Sequence, residues 1–176
     1  MIKLIYLCFI TSVTLGIIYQ THFDIEPTYK EFKKEYTAQL KELKEKEYQA
    51  YIASLSGWQR FKDEVIRLSK KHGFVANVPI AQCALESARG TSYFAKYRNN
   101  FCGIGAFDSD PNKAFSFETP EKHAQYWVRL ISKEYKLAWE NRNNPQAMIY
   151  QIKAGGYATS PNYVSKVMSM SEFRSL

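Results

Sequence analysis

Apolar positions recur at helical spacing along most of this chain, and their grouping divides it into a front, a middle and a larger rear part. The 20 residues from Leu4 to Phe23 contain no Lys, Arg, Asp or Glu. As a helix they would span about 30 Å, the thickness of a bilayer's hydrocarbon. From Tyr29 the apolar positions thin to a single stripe. Tyr29, Phe32, Tyr36, Leu40 and Leu43 step by 3, 4, 4 and 3 among many Lys and Glu. That spacing predicts a mixed-charge helix with one narrow apolar face over 24–56. A solvated spacer is the expectation, with weak self-association through the stripe as the alternative.

The rear part, 57–176, carries denser patterns. Trp58, Phe61, Val65, Ile66 and Leu68 predict a helix closed by Gly73. Pro79 suits the first turn of the next helix, whose apolar face is Ile80, Ala81, Ala84, Leu85 and Ala88, with Gly90 placed as a left-handed cap. Residues 99–117 are broken by Gly103, Gly105, Asp108, Asp110, Pro111 and Asn112 and read as irregular or hairpin-like. Thr119 and Pro120 then open a helix carrying His123, Tyr126, Trp127, Leu130, Ile131 and Tyr135. A further helix runs from Pro145 to Ala154, stopped by Gly155-Gly156, and a last one from Tyr163 to about Met170. No series of strands and no internal repeat is visible. The fold class is mainly α (α+β): an α lobe with a small β-hairpin lobe, preceded by a long N-terminal helix. The domain expectation is an N-terminal membrane anchor or signal segment over 1–23, a charged helical spacer over 24–56 and one compact domain over 57–176.

Charge sharpens this division. The chain holds 24 Lys+Arg against 17 Asp+Glu, a net charge of +7. The front 56 residues contribute 7 of each sign, so the whole excess lies on the rear domain. Lys3 ahead of the apolar run keeps the N-terminus in the cytoplasm and directs the rest outward. The localisation expected is membrane-anchored with the domain outside the cytoplasm, or secreted if the segment is a cleaved signal peptide. A basic exported domain attracts anionic polymers. No nucleic-acid motif accompanies the charge, so a nucleic-acid partner is not expected.

Three candidate chemistries are weak. His72 and His123 lack Cys, Asp or Glu at ligand spacing, and no phosphate loop or nucleophile elbow is present, so neither a metal nor a cofactor is expected. Cys8 lies in the apolar front segment. Cys83 and Cys102 flank one region of the rear domain, and two free buried thiols are the expectation, with pairing after export as the alternative. Glu86 differs from these. It sits in the last turn of an apolar helix, where the negative end of the helix dipole and partial burial raise a carboxyl pKa. A surface Glu would show the same letters.

Four pieces in order resolve that ambiguity. Ala81-Gln82-Cys83-Ala84-Leu85-Glu86-Ser87, Asn99-Asn100-Phe101-Cys102-Gly103-Ile104, Gly105-Ala106-Phe107-Asp108-Ser109-Asp110-Pro111 and Gly156-Tyr157-Ala158-Thr159-Ser160-Pro161-Asn162-Tyr163 together resemble the glucosaminidase domain of bacterial peptidoglycan hydrolases, glycoside hydrolase family 73. The resemblance covers about Trp58 to Met170. Ala88-Arg89 and Cys102 depart from it, standing where many members have Gly-Trp and a second aromatic residue.

The resemblance implies a lysozyme-like fold with a glycan groove, and cleavage of the β-1,4 bond after N-acetylglucosamine within peptidoglycan strands. It implies Glu86 as the general acid. Glu118 is the leading candidate for a second carboxylate, with Asp108 and Asp110 as the others, and Tyr157 is the aromatic hydroxyl brought to the cleft. Asn100, Phe101, Gly103, Ile104, Asp108 and Tyr163 are the implied substrate-binding residues. With no well-placed base, the substrate's own N-acetyl group would serve as nucleophile. A lytic transglycosylase shares the fold and the single Glu, but its Gly-Leu-Met-Gln-like segment is absent. A non-catalytic wall-binding module is the remaining alternative.

Overall fold

A computed structural model describes residues 25–106 and 113–174. Every regular element among them is a helix. The Leu4–Phe23 segment, Asp108 and Asp110 lie outside the described residues. Among the described residues no helix is long and apolar enough to cross a membrane.

The chain divides into two compact units between Tyr48 and Gln49. Helix α1, Ile25–Ser54, supplies the first unit and runs into the second. Its stripe residues Tyr29, Phe32, Tyr36, Leu40 and Leu43 are exposed. The helix is held locally, by Glu42–Lys46 and Glu35–Gln39 contacts one turn apart and by Phe32 stacked on Tyr36.

In the second unit α2 spans Gly57–His72, α3 Asn77–Ser87, α4 Tyr93–Arg98, α5 Pro120–Glu134, α6 Lys136–Glu140, α7 Pro145–Ala154, α8 Tyr163–Ser169 and α9 Ser171–Arg174. Side-chain caps fix half of these starts. Ser56, Ser92, Thr119 and Asn144 each accept a backbone N–H three residues on, and Pro120 and Pro145 occupy first-turn positions.

Helix α3 is the centre of the unit, packed by α2, α7, α8 and α9. Nine of its eleven residues are buried. It is apolar nearly all round because neighbours cover it nearly all round. The two exceptions are Leu85, half-buried, and Glu86, exposed. Around α3 the core is filled by Phe61, Val65 and Leu68 of α2, Trp127 and Ile131 of α5, Met148, Ile149 and Ile152 of α7, and Val167 of α8.

Two expectations are corrected. The left-handed turn after α3 begins two residues early, at Ala88 (φ 47) and Arg89 (φ 56), and only then reaches Gly90 (φ 81). The turn is held by Arg89, which forms an ion pair with Glu172 of α9, its Nη2 donating to Oε2 at 3.0 Å. For 99–117, the hairpin-like alternative is likewise not met where the chain is described. No strand is present among the described residues of 99–117. Two backbone bonds join the sides of this stretch, Phe115 N–H to Ile104 O at 3.0 Å and Phe117 N–H to Arg98 O at 2.8 Å, and side chains add to them: Asn99 donates to the carbonyls of Phe117 and Glu118, Arg98 to that of Ala114, and Asn100 to those of Ile104 and Phe115.

Candidate active site

The last turn of α3 opens onto a groove of about 620 Å³. Leu85 and Glu86 enter it from α3, and Cys102, Gly103, Ile104, Gly105 and Ala106 from the loop after α4. Leu130 and Tyr135 come from the end of α5, and Tyr157, Tyr163 and Lys166 from the α7–α8 turn and α8. The only α3 side chains that packing leaves uncovered are thus the two that line this groove.

The Glu86 carboxyl reaches solvent along the groove, yet the walls around it remove enough water to raise its pKa above the ordinary carboxylate value. Contact with the Tyr163 hydroxyl opposes part of that rise. Across from the carboxyl lies Gly103 at φ +64, where an added Cβ would stand 3.8 Å from Glu86 Oε2. A side chain at that position would crowd the space where a ligand must meet the acid. The acid is thereby kept in its protonated form to higher pH while remaining open to an incoming oxygen, as proton delivery requires.

The facing loop is anchored at consecutive residues. Asn100 is buried; its Nδ2 donates to Ile104 O (2.9 Å) and Phe115 O (3.0 Å), and its Oδ1 accepts from Ile104 N at 3.0 Å. The N–H of Phe101 donates to His123 Nδ1 at 3.1 Å, and the Phe101 ring packs with Trp58, Phe61 and His123. The Cys102 carbonyl accepts the Tyr157 hydroxyl at 3.1 Å. Cys102 is also joined to Cys83 by a disulfide, with Cα atoms 4.3 Å apart. This corrects the expectation of two free thiols. Cys83 lies one turn before Glu86 and Cys102 directly before Gly103, so the bridge sets the span between acid and loop.

Tyr157 and Tyr163 stand side by side on the opposite wall, ring centroids 6.2 Å apart, with Tyr135 beyond Tyr157 at 5.9 Å. Burial pushes both Tyr157 and Tyr163 hydroxyls well above the usual phenol range, and the nearby Glu86 charge adds to the shift. Both phenols therefore keep their protons at ordinary pH. The turn carrying Tyr157 is pinned by Lys153, whose ammonium donates to the carbonyls of Ala158 and Thr159.

Of the residues singled out from sequence, Glu86, Gly103, Ile104, Tyr157 and Tyr163 come together in the groove. Asn100 and Phe101 do not bind at its surface; they are interior and shape the loop from behind. Glu118 is exposed and lines a different cavity, with Trp58, Lys96, Asn99 and Pro120. Asp108 lies outside the described residues. Among the lining side chains not singled out from sequence, Tyr135 and Leu130 carried only a packing signal, and Lys166 carried none.

Comparison with known proteins agrees with this architecture. The glucosaminidase family model, described as mannosyl-glycoprotein endo-beta-N-acetylglucosaminidase, matches residues 62–174. Among curated proteins, the exo-glucosaminidase LytG of Bacillus subtilis (strain 168) is 29% identical over 151 residues, covering 72% of this chain and 51% of LytG. The chain thus spans about half the length of the curated relative it matches. Among solved structures, the catalytic domain of the autolysin Auto (Lmo1076) from Listeria monocytogenes aligns with TM-score 0.52 at 23% identity, over 74% of this chain and 94% of that one. A peptidoglycan hydrolase mutant from Sphingomonas sp. A1 aligns with TM-score 0.52 at 21% identity, over 66% of this chain and 96% of that one. At those identities the likeness is one of fold. With the family model covering most of the folded unit, and the groove, its acid and its two tyrosines in place, the chain belongs to the glucosaminidase family of glycoside hydrolases.

Proposed function

We propose that this protein hydrolyses the β-1,4 bond after N-acetylglucosamine within peptidoglycan strands, with Glu86 as the proton donor. The observation that carries the reading is the single exposed carboxyl of a buried helix, raised in pKa and set on the rim of a groove opposite a glycine. Membership of the family and the likeness to an autolysin domain and a peptidoglycan hydrolase support the substrate class. The disulfide fits an oxidising compartment outside the cytoplasm. There the Leu4–Phe23 run would hold the domain at a membrane, with 24–56 as the spacer.

Glu86 is the one carboxylate among the described residues that line the groove. Glu118 stands apart from it and receives no catalytic step. The second group we propose is the substrate's own 2-acetamido oxygen, one of the exceptions to the two-carboxylate scheme. As Glu86 passes its proton to the leaving glycosidic oxygen, that oxygen's bond to C1 breaks and the acetamido oxygen bonds to C1. Water then attacks C1, returns a proton to Glu86 and restores the acetamido group. Tyr157 suits the task of aligning that group. Its own proton is committed to Cys102 O, so its oxygen lone pair is available to accept the acetamido N–H.

Digestion of purified peptidoglycan, with mass analysis of the new ends, tests this. Internal cuts leaving reducing N-acetylglucosamine ends are expected, with Glu86→Gln slower by about 10²- to 10⁴-fold. Release of single sugars from strand ends would make the enzyme exo-acting, and anhydro-muramic ends would make it a transglycosylase. Binding without cutting by the wild type would refute catalysis altogether.

A further inference from the structure

Behind the groove wall three buried side chains form a hydrogen-bonded row. Trp127 and Gln82 are fully buried and Tyr163 is 4% exposed. The Trp127 indole Nε1 lies 3.1 Å from Gln82 Oε1, and Gln82 Nε2 lies 3.0 Å from the Tyr163 hydroxyl oxygen. Donor and acceptor roles along this row follow from chemistry alone. An indole N–H can only donate, so the amide must turn its oxygen toward Trp127. That leaves the amide NH₂, which also can only donate, facing Tyr163. The phenol oxygen must therefore accept, and its own proton is turned away from Gln82.

The groups facing Glu86 decide where that proton goes. Tyr157 has its proton committed to Cys102 O. The loop presents Gly103, which is neutral, and α8 presents Lys166 farther along the groove. Tyr163 lines the groove together with Glu86, so its proton, turned away from Gln82, is the one left to face the Glu86 carboxyl.

We propose that Gln82 is a positioning residue: held by Trp127, it aims the Tyr163 hydroxyl at Glu86 as a fixed donor. The aimed donor supports the carboxylate that remains once Glu86 has given up its proton. It also counteracts desolvation, so that the acid ionises within reach of its working range. The inference rests on the reading of Glu86 as the proton donor.

The test follows the Glu86 titration directly, by ¹³C NMR of the labelled carboxyl in the full chain, alongside the pH profile of peptidoglycan cleavage. Loss of a donor to a carboxylate raises its pKa. Gln82→Met should move the Glu86 midpoint up by about one unit, and carry the high-pH limb of activity with it. Tyr163→Phe should give the same shift, and the double variant no more than Tyr163→Phe alone. Trp127→Phe leaves Gln82 and Tyr163 intact but frees the amide to reverse, so that its oxygen captures the phenol proton. It too should raise the midpoint, although Trp127 lies a residue away from the contact. A wild-type midpoint in Gln82→Met or in Trp127→Phe would overturn the proposal, as would additivity in the double variant. A general packing defect would lower melting temperature without moving the midpoint. Should wild type fail to cut peptidoglycan, the hydrolase reading falls while the NMR titration still reads the relay.

Discussion

Removal of the Cys83–Cys102 bridge gives a measurable test of how the groove is held. The perturbation is the double substitution Cys83→Ala/Cys102→Ala, with phosphine-reduced wild type as a second arm that deletes no atoms from the core. The two residues are 19 positions apart. Closing a loop of that length in the unfolded chain gives an entropic stabilisation of about 3 kcal/mol. The compact unit Gln49–Leu176 should unfold with an entropy of roughly 0.27 kcal/mol/K. The melting temperature should therefore fall by about 12 °C in reduced wild type, and somewhat further in the double variant, which also loses two buried sulfur atoms. Calorimetry or circular dichroism reads the melt, and thiol labelling of the unfolded, unreduced chain reads the bridge. Activity should fall as well, because the Cys102 carbonyl that receives Tyr157 would no longer be tied to the helix bearing Glu86. A melt unchanged by reduction, or free labelling of Cys83 and Cys102 before reduction, would refute the reasoning.

Further tests address the backbone and the core. Ala88 occupies a left-handed conformation at φ 47, so Ala88→Gly should stabilise the fold by about 0.5–1 kcal/mol, read as a raised melting temperature with activity unchanged. Gly105 sits at φ +74, where a Cβ would lie 2.6 Å from Phe115 Cδ1 and 3.2 Å from Lys113 O. Gly105→Ala should cost about 1–3 kcal/mol and lower kcat/KM by displacing the groove wall. Burial lowers the His123 pKa from 6.5 to about 3. The unfolded chain therefore takes up a proton that the folded imidazole refuses, and stability is complete above pH 6.5 and lost as pH falls toward 3. Urea unfolding should show wild type losing up to about 3 kcal/mol more than His123→Gln between about pH 7 and about pH 4.

What could be read from the sequence follows from where local chemistry decides structure. The Thr119-Pro120 start of α5, the Pro145–Ala154 bounds of α7 and the Gly73 cap of α2 are set by capping and backbone constraint, and all stand in the structure. The place of Glu86 in the last turn of an apolar helix was equally legible. What the letters could not supply is direction. Asn100 looks like a ligand-binding amide, yet its carbonyl partners at Ile104 and Phe115 draw it inward. Glu118 is at a plausible sequence distance from Glu86 but turns to another cavity. Pairing of Cys83 with Cys102 depends on a Cα separation that only the tertiary fold fixes. The left-handed start at Ala88 runs against local preference, and its tie from Arg89 to Glu172 spans 83 positions. Turn-rich spacing over 99–117 leaves irregular and hairpin-like structure both open; among the described residues no strand forms, and two backbone bonds with side-chain bonds from Arg98, Asn99 and Asn100 hold the stretch.

The near-complete covering of α3 has a practical corollary for anyone wishing to see where such proteins go. If Glu86 is the proton donor we propose, exchanging this exposed side chain for an uncharged analogue disarms the molecule without opening a gap in the helix's packing. A fluorescently tagged copy carrying that one exchange would settle on its polymer and stay, a stain for the sites where its active twin works.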